Sequence, residues 1–130
     1  MKVRQWRVLA EAEDAFIGAL LRKSSELAMV YEVDIFLSDT ANDGMMVLYK
    51  QHRWEEGLKP ITLKEAPLPR DLNYYVQTIK SHLSEEKKSL WFGLDSKLPD
   101  YLLELHPDEA SSSTIDDYPA IAALGFAVTY

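Results

Sequence analysis

The sequence predicts an α+β fold: a mostly antiparallel sheet with a long N-terminal helix, a second amphipathic helix and a C-terminal edge or inserted strand. Apolar residues recur at helical spacing from Phe16 to Tyr31 and again from Leu72 to Leu83, whereas from Tyr31 to Leu37 they alternate with polar ones. The order of these segments, a helix, a run of strands, then further helices and a last strand, lacks the regular strand-helix alternation of a doubly wound sheet. At 130 residues the chain suits a single globular domain spanning residues 1–130.

The first helix is expected over residues 12–29. Its stripe is Phe16, Ile17, Leu20, Leu21, Leu27, Ala28 and Tyr31, with Glu11, Glu13 and Asp14 near the positive end of the helix dipole. Trp6, Leu9 and Ala10 extend the same stripe, and residues 2–9 also read as a β-strand. Tyr31, Val33, Ile35 and Leu37 then form the apolar set of a half-buried strand, placing Glu32 and Asp34 in water. Thr40-Ala41-Asn42-Asp43-Gly44 supplies turn residues, and Met45 to Gln51 reads as the returning strand of an antiparallel hairpin with Gly44 at positive φ. Ile61-Thr62-Leu63 offers a short third strand before Ala66-Pro67-Leu68-Pro69, which cannot be helical.

Asp71 is placed to cap a helix over residues 72–83, whose stripe is Leu72, Tyr75, Val76, Ile79 and Leu83. Adjacent residues on a helix cannot share one buried face, so Tyr75 inside implies Tyr74 at an edge. Leu90 to Leu94 reads as a short strand or loop, Pro99 to Leu105 as a helical turn, and Ala110 to Thr114 as a loop. Pro119 to Leu124 reads as a short helix stopped at Gly125, after which Phe126, Val128 and Tyr130 alternate as the last strand.

Hydrophobic residues at 47% and charged residues at 27% are ordinary globular usage. The absence of cysteine excludes disulfides and thiolate chemistry and suits a cytoplasmic location. Acidic residues at 11, 13 and 14 interrupt the apolar stretch a signal peptide needs, and no apolar run approaches the ~20 residues that span a bilayer, so no membrane association is expected.

Charge is distributed unevenly. After Lys97 there is no Lys or Arg, and Asp100, Glu104, Asp108, Glu109, Asp116 and Asp117 carry six of the seven net negative charges. Such a segment repels nucleic acid, whose phosphates demand clustered Lys and Arg, and attracts cationic partners. His52, His82 and His106 each precede carboxylates by a few residues, a spacing that on a helix could offer nitrogen and oxygen to one metal. Only His82 falls near an expected helix, and at that helix's end, so solvated side chains are the simpler reading. The neighbouring pairs Glu55/Glu56, Asp108/Glu109 and Asp116/Asp117 point apart rather than toward one substrate bond. No Gly-x-Ser-x-Gly, His-Glu-x-x-His, Gly-x-x-x-x-Gly-Lys or Gly-x-Gly-x-x-Gly motif occurs. The expectation is therefore a non-enzyme with no cofactor and no metal.

Small, acidic, cysteine-free domains without catalytic motifs share the physical character of inhibitors and immunity-type proteins, which cover a basic site such as a nuclease toxin cleft. The six acids after Lys97 form the expected contact set for a basic protein partner, with Tyr74 and Trp54 as aromatic anchors. Two alternatives follow from other features. One is a small metal-dependent hydrolase using a histidine and nearby carboxylates; the other is a structural or regulatory subunit that self-associates.

Overall fold

The computed structural model describes residues 4–14, 16–38, 44–59, 61–68, 70–105 and 115–130. Their elements, in chain order, are β1 (Trp6–Arg7), α1 (Ile17–Val30), β2 (Ile35–Ser38), α2 (Gly44–Glu55), β3 (Thr62–Glu65), α3 (Leu72–Leu83), β4 (Leu90–Trp91), α4 (Leu98–Glu104), a 3-10 turn (Ile115–Asp117) and α5 (Pro119–Thr129). The class is α+β, with five α-helices and two small sheets among the described residues. The chain divides into two compact units, residues 12–66 and residues 1–11 with 67–130.

In the unit of residues 12–66, β2 and β3 pair in parallel, Ile35 opposite Thr62 and Ser38 opposite Glu65. Parallel partners need a crossover, and α2 supplies it. The segment expected to return as a hairpin strand is therefore helical. Met, Leu, Lys, Gln, Arg and Glu favour helix through most of residues 44–55. Gly44, the last residue of the expected turn, opens this helix, and the turn's residues 40–43 lie outside the described residues. Gly57 ends it at φ +66°, allowing the Leu58 N–H to donate to the Arg53 carbonyl at 2.9 Å. The α1 terminus uses the same device with a non-glycine residue: Glu32 sits at φ +52° and the Val33 N–H donates to Ala28 O at 2.9 Å.

Glu32 and Asp34 are exposed as expected, but the apolar set of β2 does not face inward as a group. Phe36 stacks on the buried Tyr49 of α2, ring centroids 4.3 Å apart, while Tyr31, Val33 and Ile35 are exposed and Leu37 is half-buried. Leucine, phenylalanine and isoleucine occupy both parities of this strand, so alternation alone does not say which parity meets the helix. At the N-terminus the strand alternative, not the extended helix, matches the structure. There is no long N-terminal helix: residues 6–7 form a strand, and α1 begins only at Ile17.

The second unit is built on α3 and α5. Its core contains Leu72, Val76 and Ile79 from α3, Leu90 from β4, Leu98 and Leu102 from α4, Leu105, and Ile121, Leu124 and Val128 from α5. Asp71 caps α3 by accepting the Tyr74 N–H at 2.9 Å. Beneath it, Tyr75 is fully buried and Tyr74 is exposed. β1 pairs with β4 in parallel, Trp6 opposite Leu90 and Arg7 opposite Trp91. Both sheets are thus parallel, where a mostly antiparallel one was expected.

The expected C-terminal strand is also absent. Helix α5 runs through Gly125 to Thr129, because Gly125 serves as a contact rather than a stop. A Cβ there would collide with Tyr75, so the missing side chain is what lets α3 and α5 approach.

Candidate partner-binding surface

Pro99 stands in the first turn of α4, where its missing N–H costs no helical hydrogen bond. Leu98, Leu102 and Leu105 then anchor one side in the core. Their spacing turns Asp100, Leu103 and Glu104 to the opposite, solvent-facing side, with Leu103 80% exposed. Among the described residues neither Asp100 nor Glu104 forms an ion pair. The result is a short acidic ridge carrying one exposed leucine.

The other expected contact residues fare differently. Asp117 is exposed on the 3-10 turn and belongs to the same unit as α4. The side chain of Asp116 lies outside the described residues, as do Asp108 and Glu109 entirely. Tyr74, 44% exposed on α3, is in this unit. Trp54, 85% exposed on α2, belongs to the unit of residues 12–66.

Of the histidines, His82 and His52 are described, each in its own unit. His82 Nδ1 and Ser89 Oγ share a 2.7 Å hydrogen bond, and the Ser89 N–H donates to the His82 carbonyl at 2.8 Å, closing the turn between α3 and β4. Partial burial, with Lys87 nearby, lowers the His82 pKa from its ordinary value. Ser89 is fully buried, out of reach of a substrate. His52 is half-buried near the end of α2, and His106 lies outside the described residues. Among the described residues no three His, Asp or Glu side chains converge on a point that could hold a metal, and no helix is long and apolar enough to cross a membrane.

One charged stretch escaped the sequence reading. Between Lys23 and Lys50 there is no Lys or Arg, while Glu26, Glu32, Asp34, Asp39 and Asp43 all fall there. The same absence of Lys and Arg that marks the acidic C-terminal quarter marks this stretch as well. Glu26, Glu32 and Asp34 are exposed beside the exposed Met29, Val30, Tyr31 and Val33. Searches of protein-family models, curated proteins and solved structures found no match to this chain.

Proposed function

We propose that this chain is an acidic protein-binding domain, an inhibitor or immunity-type protein that covers a basic site, such as a nuclease toxin cleft, on a cytoplasmic partner. The observation that carries the reading is the outward face of α4: Asp100 and Glu104 one turn apart, exposed and without an ion pair among the described residues, in a stretch of 33 residues that contains no Lys or Arg. Nothing in that stretch neutralises them, so their field acts on whatever approaches. Leu103 adds apolar contact at the centre of the ridge. Exposed Tyr74 is the aromatic anchor in the same unit.

The test begins with affinity capture of the partner from native lysate and measures its association rate against salt. Raising ionic strength from about 0.05 to 0.5 M should slow association tenfold or more, because the screening length contracts to a few Å. Asp100→Lys with Glu104→Lys should weaken binding while leaving the thermal melt nearly unchanged, since solvated charges contribute little to folding stability. A partner that binds the double variant as tightly as the parent overturns the proposal.

A further inference from the structure

We infer that the outer edge of β2 is a strand-addition site for an extended segment of a partner protein in which apolar residues alternate with Lys or Arg. The inference rests on residues 12–66 alone and is independent of the reading of α4. The carbonyls of Asp34 and Ser38 accept the N–H groups of Thr62 and Ala66 at 3.0 and 2.7 Å. Even-numbered residues of β2 therefore turn their main chain toward β3, and the amides and carbonyls of Ile35 and Leu37 point away from it. Among the described residues no strand pairs with that side, and the sheet holds β2 and β3 only.

The side chains match the main chain. Phe36 and its stack with Tyr49 put α2 over one face of the sheet, whereas Ile35 and Val33, 38% and 43% exposed, belong to the open one. Parallel strands are ordinarily covered on both faces, and a two-stranded sheet by itself is marginal. Ile-Phe-Leu-Ser also lacks the Lys and Pro with which natural edges are blunted. An edge that is apolar, unpaired and unprotected is a template for a further strand.

Charge identifies the occupant. The segment from Ser24 to Tyr49 contains five acidic residues and no basic one, and Glu32 and Asp34 stand exposed at the start of the strand. A second copy would bring the same acids against themselves, which costs rather than stabilises. A segment carrying Lys or Arg between its apolar residues meets both the edge and the field.

The probe is the peptide acetyl-Lys-Val-Lys-Val-Lys-Val-amide, added to the full chain while backbone amide exchange is followed residue by residue by NMR. In the free protein Ile35 and Leu37 amides should exchange faster than those of Phe36 and Ser38. Saturating peptide should slow them about tenfold or more, by closing the open edge. The same peptide N-methylated at alternate residues, and the unmodified peptide with the Ile35→Lys chain, should leave them unchanged. Four results overturn the inference: Ile35 and Leu37 protected like Phe36 and Ser38 without peptide; no saturable effect up to about 1 mM, the range of weak binding; equal binding of the N-methylated peptide; or a stable dimer of the free chain that Ile35→Lys disperses, which would assign the edge to a second copy.

Discussion

Gly125→Ala tests the packing of α3 against α5 at one atom. An ideal Cβ on Gly125 would press on Cγ of Tyr75 and stand 2.6 Å from its Cδ2 and 2.7 Å from its Cβ. Contacts that short require movement, and Tyr75 has little room for it. Its side chain is fully buried, and its ring lies edge-on to Phe126 at 5.7 Å. Because the clash includes the Tyr75 Cβ, which no rotamer change displaces, the helices themselves must separate. Overpacking of this kind costs about 1–3 kcal/mol. Alanine in place of glycine gains back about 1 kcal/mol of helix propensity. The steric effect should win, leaving the variant less stable by up to about 2 kcal/mol, with valine worse still. Urea denaturation followed by circular dichroism measures the difference, and Ala123→Gly, on the exposed side of α5, isolates the propensity contribution. That control should lose about 1 kcal/mol with no steric cause. A Gly125→Ala chain as stable as the parent, or more so, would refute the close approach and return Gly125 to the role of an ordinary helix residue.

Two further outcomes are expected. Phe36→Ala should destabilise by about 2–3 kcal/mol, because it removes the ring stacked on Tyr49, whereas Ile35→Ala, on the open side of β2, should cost under about 1 kcal/mol; the reverse order in urea melts would restore the register first read from the sequence. Burial, helped by Lys87, holds the folded-state pKa of His82 below its ordinary 6.5, so the unfolded chain binds more protons between those two values and stability falls as pH drops below 6.5. Melting midpoints from pH 7.5 down to about 5 should show the parent losing stability relative to His82→Gln, and a parent that gains on the variant as pH falls would reverse the assigned direction.

Only local features were legible in the chain alone. The bounds of α3, its Asp71 cap and the division between buried Tyr75 and exposed Tyr74 follow from signals within one or two turns, namely a carboxylate three residues before the amide it accepts and a stripe at helical spacing. Pro99 marked the start of α4 for the same reason, and the exposure of Asp100 and Glu104 follows from their spacing against Leu98 and Leu102. Tertiary structure decided the rest. Met45 to Gln51 reads as a returning strand because turn residues precede it, yet residues 44–55 are helical, and Tyr49 of that helix stacks on Phe36 where β2 and β3 run parallel. Which parity of Ile35, Phe36 and Leu37 faces inward is likewise a choice between two apolar sets, made by a ring on another element. Gly125 reads locally as a helix stop, yet the chain continues as helix because Tyr75, 50 residues earlier, occupies the space where a side chain would be. A local pattern records what a segment can become; contacts between segments distant in the chain select one outcome, since burying an apolar side chain is worth ~1.5–3 kcal/mol against the few tenths that separate most residues in helix propensity.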